Sequence, residues 1–446
     1  MSIILDQFTH KRPIEDRSFM RIFTIQTLFL IVFCCFIASE AKADELKVAS
    51  LDLQTAISKS LMSNPELVSM EFQVKSAESF VEQAGVGEKP EISLMIEDAL
   101  GSGNFSGLDG SQSTLSISWI LERSLLARRV DSKLAEKNVV QVEQQVKQYD
   151  VAAATAHAFI SALALEEKLT IAEQAKRSAR QALHDVRKRS ESGKSPAADL
   201  LRAEVELERR KLDIDDVKHE LEVSKRELAA QWGATSAGFT SLSGSLALDG
   251  EVMSFAELEQ GFIDSPKVKY FLTQERVKQS EIALAQEQAK NRLRFNTGVR
   301  RLDQTDDYAL VLGVSMPFGG KQRNRARIDA LTQEQAGAAA QASAAQIKLN
   351  AEVFGLYEGY QHNVHLSEAL ADEIIPRLEK ALVATRNAYD LGRYSYREWS
   401  AVQQDVFAAY LELTATRLAA HSNRVELERL TGQSIFKNQH SSIGQP

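Results

Sequence analysis

Four short segments alternate large apolar residues with small or polar ones at a period of two. Ile92, Leu94 and Ile96 face away from Ser93 and Met95, and Leu115, Ile117, Trp119 and Leu121 face away from Thr114, Ser116 and Ser118. Leu293, Phe295, Thr297 and Val299 oppose Arg294, Asn296, Gly298 and Arg300. The fourth, "YALVLGVSMPFGG", sets Tyr308, Leu310, Leu312, Val314, Met316 and Phe318 against Ala309, Val311, Gly313, Ser315 and Pro317. It runs through Gly319 and Gly320 into the cations Lys321, Arg323, Arg325 and Arg327. One apolar face backed by a polar or small one fits a half-buried sheet of a soluble protein. It equally fits a membrane barrel wall, with lipid outside and water inside.

Nearly everything between these segments reads as helix. The expected spans are 52–86, 122–191 and 197–232, then 254–290, 323–390 and 397–431. At about 1.5 Å per residue the two long helices reach on the order of 100 Å, so they need coiled-coil-like partners along their length. The two shorter helices of each half together match the long one, which suggests an end-to-end stack lying antiparallel along it. Alanine-rich runs such as "VAAATAHAFISALALE" (151–166) and "AGAAAQASAA" (336–345) let neighbours approach closely, although alanine also simply favours helix.

The plan occurs twice. "SNPELVSMEFQVKSAESFVEQA" at 63–84 corresponds to "DSPKVKYFLTQERVKQSEIALA" at 264–285. The interval from Pro65 to Ile92 equals that from Pro266 to Leu293, and Gly193 to Gly233 equals Gly392 to Gly432. This is the signature of an internal duplication with a period of about 200 residues, far longer than a solenoid repeat. The expected division is 44–250 for the first repeat, 251–432 for the second and 433–446 for a polar tail, with 233–253 as a Gly/Ser-rich link.

Residues 20–43 read as a secretory signal: Arg21, an apolar run from Ile22 to Ala38, and Ala41-Lys42-Ala43 before Asp44. Met20 is a second candidate start, and an uncleaved anchor is the competing reading. Both cysteines, Cys34 and Cys35, fall inside this segment, so the mature chain would carry neither disulfide nor thiolate metal site. After it no apolar run approaches the ~20 residues of a membrane helix, so a bilayer would have to be crossed by strands. A formal charge of −8 argues against a nucleic-acid surface.

Catalytic signatures are missing: there is no Walker loop, HExxH, GxSxG or Rossmann glycine pattern. His362 and His365 could share a metal, but no carboxylate or thiol completes the set and a solvated helix face is the better reading. No metal, cofactor or catalytic site is expected. Two further readings remain: a periplasmic coiled-coil scaffold, which leaves the alternating hairpins unemployed, and a type I secretion duct. Four strands cannot close a membrane barrel, the smallest of which have about eight, so several chains must contribute.

"NPEL" at 64–67, the paired turns "SESGKSPAADLLRAEVEL" and "YDLGRYSYREWSAVQQD", and "VSMPFGGKQRNRARI" resemble the recurrent features of the outer-membrane efflux (TolC-like) family. The resemblance covers nearly the whole mature chain. "PEISLMIEDALGSGNFSG" followed by "STLSISWILE" is similar to the cobalt-zinc-cadmium resistance subgroup. Glu88-Lys89-Pro90 departs from that subgroup's Pro-Asn-Pro, and "ERSLLARR" from its Gly-Lys-Arg. The resemblance implies a mainly α fold with a small membrane β-barrel. In it, a homotrimer shares twelve strands above a periplasmic α-barrel in the outer membrane of a Gram-negative bacterium. It implies a passive exit duct for small solutes, heavy-metal cations among them, docked to a periplasmic adaptor and an inner-membrane, proton-driven pump. Leu115, Ile117, Trp119, Leu121, Leu312, Val314 and Met316 would face lipid, and Arg294, Asn296 and Arg300 the lumen. The periplasmic tip, as gate or adaptor contact, would comprise Asp185, Gly193, Ser195, Asp199, Arg386, Asp390, Gly392, Tyr394 and Ser395.

Overall fold

The computed structural model describes residues 48–433, apart from 109, 249, 251 and 318–320. The segment expected as a signal, with Cys34 and Cys35, residues 318–320 and the tail beyond Gln433 lie outside the described residues, as do the side chains of 48, 49, 104, 263 and 321–323.

The first element is a short strand, β1 (Val48–Asp52). Its last residue caps the helix that follows: Asp52 accepts from the Thr55 amide at 2.9 Å, opening α1 (Leu53–Ser63). The continuous helix expected over 52–86 breaks at Asn64 and resumes as α2 (Pro65–Ala84). Pro65 has no N–H to donate into a preceding turn and fits only where a helix begins. Asn64 serves both sides of the break. Its side-chain oxygen accepts from the Glu66 amide at 2.8 Å, and its Nδ2 donates to the Gln231 carbonyl at 2.7 Å.

An antiparallel hairpin, β2 (Glu91–Glu97) and β3 (Gln112–Ile120), leads into α3 (Arg123–Glu191). Its 69 residues contain neither glycine nor proline, so nothing interrupts about 100 Å of helix. Its buried side is largely alanine, including Ala153, Ala156, Ala162, Ala175, Ala179 and Ala182, and neighbours can therefore lie close. α4 (Ala197–Ala230) returns alongside it.

The 233–253 stretch is more than a link. It holds β4 (Phe239–Ser243), which pairs in parallel with β1 from Val48↔Phe239 to Asp52↔Ser243. Phe239 and Leu242 are buried with Leu51, Phe159, Leu228 and Trp232. Buried Lys225 ties β4 down: it lies 3.2 Å from Glu166 and donates to the Thr240 carbonyl at 2.8 Å. Glu166 in turn accepts from the Leu242 amide at 3.2 Å.

The second half begins with α5 (Phe255–Gln260), a 3-10 turn at Phe262–Asp264, and α6 (Pro266–Gln288). Here too the expected single helix breaks before a proline, with the Ser265 hydroxyl accepting from the Val268 amide at 3.3 Å. β5 (Arg294–Leu302) and β6 (Asp307–Ser315) form the second hairpin. α7 (Lys321–Glu368) passes through a π-helical turn at Ala369–Ile374 into α8 (Ile375–Asp390), where one helix over 323–390 was expected. Pro376 removes a backbone donor, and the wider turn accommodates the missing bond. α9 (Tyr396–Thr431) completes the set.

Two junctions repeat across the halves. Gly233 (φ +79°) ends the run of α4, and a Cβ there would stand 3.3 Å from Pro65, at the head of α2. Gly432 (φ +72°) ends α9, and a Cβ there would stand 3.1 Å from Pro266, at the head of α6. Both backbones are left-handed, which glycine adopts without penalty. So α4 meets α2 end to end, and α9 meets α6. These stacks flank α3, α2 and α4 on one side and α6 and α9 on the other, with α7–α8 beyond α6 and α9. Among the described residues no helix is long and apolar enough to cross a membrane.

Candidate functional site

The four strands form one antiparallel sheet in the order β2-β3-β5-β6, with β2 and β6 as open edges. A single chain therefore closes no barrel. The register assigns its faces. Ile92 lies opposite Ile117, Ile117 opposite Thr297, and Thr297 opposite Leu312. Leu94, Leu115, Val299 and Leu310 form the next row. This side is bare: Ile92 and Leu312 are each 73% exposed and Leu115 57%. Trp119 stacks on Phe295 at 6.1 Å toward its helix end, and Tyr308 stands exposed at its loop end. Aromatics bounding an apolar band are what the two interfaces of a bilayer select. Leu121 and Met316 are exposed just beyond β3 and β6, and Val314 within β6.

The other side is polar. Ser93 and Ser116 share a hydrogen bond at 2.8 Å, with Gly298 opposite Ser116. A Cβ at Gly298 would fall 2.6 Å from the Leu115 carbonyl oxygen and 2.7 Å from the Ser116 Cβ, so only glycine fits. Arg300 reaches across two strands. It donates to Thr114 at 3.0 Å and Gln112 at 3.1 Å, and lies 3.3 Å from Glu97. Nearer the helices, Arg294 lies 3.5 Å from Glu91 and 4.0 Å from Glu88. Asn296 lies between the two arginines on β5, its side-chain oxygen buried and without a partner among the described residues. Below the sheet, Arg128 pairs with Asp131 at 3.2 Å and Arg327 donates to Gln288 at 2.9 Å.

At the far end each long helix reverses through a left-handed glycine, Gly193 (φ +67°) and Gly392 (φ +73°). The Lys194 amide closes one turn onto the Arg189 carbonyl at 2.8 Å, and the Arg393 amide the other onto the Ala388 carbonyl at 2.9 Å. The two turns are joined. Asp185 and Arg386 pair at 3.0 Å. Arg189 donates to the Asp390 carbonyl at 2.9 Å, with its guanidinium 4.7 Å over the Tyr389 ring. Beneath them Tyr389, Tyr396 and Trp399 are buried against Ala179, Ala182 and Val186. Burial, with Glu206, Tyr389 and Asp199 nearby, pushes the Tyr396 phenol up to about 12. Burial also raises Tyr389 above its ordinary value.

Of the tip residues expected from sequence, Asp185, Arg386 and Gly392 converge here. Asp390 takes part through its backbone carbonyl, and among the described residues its carboxylate makes no ion pair. Ser195 donates to Asp199 at 3.1 Å within its own turn. Ser395 caps α9 in a reciprocal bond with Glu398, and Tyr394 is exposed. Arg189, Tyr389, Tyr396 and Trp399 are not among the tip residues expected from sequence. A cluster of aromatics beside a glycine turn, in a chain only 7% aromatic, was the available signal. His362 and His365 are exposed on α7, with His365 3.8 Å from Glu368. Among the described residues no three potential ligands gather around one point.

The fold is an open sheet with one bare apolar face on a stalk of helices about 100 Å long. Residues 56–234 match the family described as outer membrane efflux protein. It is 21% identical over 383 residues to the cobalt-zinc-cadmium resistance protein CzcC of Cupriavidus metallidurans, a match covering 86% of this chain and 90% of that one. Its fold is similar to that of a membrane protein from Pseudomonas aeruginosa (TM-score 0.72, 14% identity, 89% and 93% of the chains). It is also similar to crystal structures of CusC (TM-score 0.70, 17% identity, 88% and 95%) and of the outer membrane protein VceC from Vibrio cholerae (TM-score 0.69, 14% identity, 86% and 96%).

Proposed function

We propose that three copies of this chain form the outer-membrane exit duct of a tripartite efflux system. One observation carries the assembly: sheet and stalk are open on matching edges. β2 sits above α2 and α4, and β6 above α7–α8, with β3 and α3, then β5 and α6 with α9, between them. Joining β6 of one copy to β2 of the next, and α7–α8 to α2 and α4, would close a twelve-stranded barrel and a helical tunnel together. Both helical edges carry exposed apolar side chains, Phe72, Phe80, Leu201 and Leu212 on one and Ile347, Phe354 and Val383 on the other. Such surfaces are covered in stable proteins. The matched glycine–proline junctions support reading 44–250 and 251–432 as two copies of one unit, behind a cleaved signal over 1–43.

The duct is passive, carrying small solutes delivered by a periplasmic adaptor and an inner-membrane pump. Heavy-metal cations are the cargo favoured by the similarity to CzcC. The joined turns are the gate, with Asp185, Arg386 and Arg189 holding them together. Ser195, Asp199, Tyr394 and Ser395 form the rim an adaptor would meet. Deleting the gene should raise sensitivity to zinc, cobalt or cadmium, and the purified protein in detergent should be a trimer that conducts in planar bilayers. A detergent-free, water-soluble monomer would overturn the assembly. Unchanged metal sensitivity with lost protein export would favour a type I secretion duct.

A further inference from the structure

Three exposed histidines take no part in the tip or the sheet: His219 on α4, and His362 and His365 on α7. Two of them lie on the helical edges that close between copies. On α4 the exposed Leu201, Val205, Leu212 and Val223 share one face. His219 continues it, seven residues after Leu212 and four before Val223. On α7 His365 follows the exposed Ile347 by eighteen residues, five whole turns, so the two point the same way. His362 stands one turn nearer the sheet, beside His365 on the next row. Heights match as well. The Gly193 and Gly392 turns share one level, since Asp185 pairs with Arg386 and Arg189 reaches the Asp390 carbonyl. The interval from Gly193 to His219 is within one residue of that from His365 to Gly392. Both imidazoles therefore stand about 40 Å above the turns. Rotation about a three-fold axis preserves height, which brings His219 of the next copy level with His365.

We propose that each seam between copies holds a divalent transition-metal cation of the zinc class, bound by His362 and His365 of one copy and His219 of the next. The inference rests on the trimeric reading above and names a ligand for its seam. Neutral imidazole suits zinc, and three protein ligands with an open fourth position make a sufficient set. Histidines three apart on a helix lie close enough to share one ion. Glu368 lies 3.8 Å from the His365 Nδ1, where a carboxylate orients a metal-bound ring. Asp216 and Glu222, exposed one turn to either side of His219, add negative charge beside the ion. Within one copy no three potential ligands gather among the described residues. The site is therefore complete only in the assembly, and the bound cation links adjacent copies.

The test uses the trimer in detergent, purified without a histidine tag, stripped with a chelator and equilibrated with zinc chloride. Wild type should retain about one zinc per chain, and zinc should raise the temperature at which the trimer dissociates. His219→Ala and His365→Ala should each lose both effects while remaining trimeric without metal. His184→Ala, at an exposed histidine of α3, should bind as wild type. Co-expressing His219→Ala with His365→Ala should restore part of the binding, because a seam between one variant and the other is complete. Zinc retained by His219→Ala, no restoration on co-expression, or a wild-type trimer that retains no zinc overturns the bridged site while the duct reading stands. If wild type forms no trimer, the duct reading fails, and this inference with it.

Discussion

The tip shows how a side chain's backbone can matter more than its charge. Arg189 is held by the carbonyl of Asp390, which any residue at that position supplies, whereas the Asp185–Arg386 pair depends on both side chains. Arg386 is 46% exposed, so the pair contributes about 0–1 kcal/mol in each chain, and three copies acting together are needed to hold a gate. Arg386→Ala and Asp185→Asn should each raise bilayer conductance of the trimer, while Asp390→Ala leaves it unchanged. Equal effects of all three would show that Asp390 acts through its carboxylate after all. In the sheet, Gly298 has no room for a methyl group against Leu115 and Ser116. Gly298→Ala should force β5 from β3 and cost about 1–3 kcal/mol, the range for overpacking, read as a lower denaturant midpoint. Gly313→Ala is the control, since its nearest neighbour is 3.6 Å away.

Elements were legible where their signal is local, and obscure where it is not. Period-two alternation told which residues of each strand share a face, and the register agrees strand by strand. Gly193 and Gly392 marked the reversals because left-handed backbone selects glycine. β1 and β4 escaped notice because each is five residues long and gains its order from a partner nearly the whole first half away. The π-helical turn depends on how α7 and α8 reconcile Pro376 with their neighbours, which periodicity does not report. The breaks at Asn64 and Ser265 were visible as prolines but were read through. The link after β4 also carries a pH dependence. His421 on α9 faces the Leu246 carbonyl at 3.2 Å. Burial lowers its pKa below the ordinary 6.5, outweighing that carbonyl's opposite pull, with Arg424 and Arg417 adding to the depression. Between 6.5 and the lowered value the unfolded chain binds a proton that the folded chain does not. The stability from neutral His421 is thus complete above 6.5 and is lost as pH falls through that window. Melting temperatures of wild type should fall over it more steeply than those of His421→Gln, which can still donate to Leu246. Parallel curves would remove His421 from the account.

For the whole molecule, the decisive geometry is where one copy ends and the next begins. β2, β3, β5 and β6 alternate in direction, so β6 of one copy and β2 of the next would also be antiparallel, and an even number of strands closes without a parallel seam. Within a chain Ile92, Ile117, Thr297 and Leu312 stand in one row, but closure staggers the strands, so Leu312 should meet one of the three outward residues of β2 rather than a preset partner. The mature chain, cleaved before Asp44, would hold no cysteine, so introduced thiols report without background. Leu312→Cys should be combined in turn with Ile92→Cys, Leu94→Cys and Ile96→Cys, and the membranes oxidised. One combination should give a covalent trimer on a denaturing gel, each corresponding single variant none, and the conductance of the linked trimer should match wild type. A ladder that stops at the dimer would mean a two-fold, self-complementary contact. Failure of all three pairs to link would show that β6 and β2 do not meet, and that the barrel closes by another route.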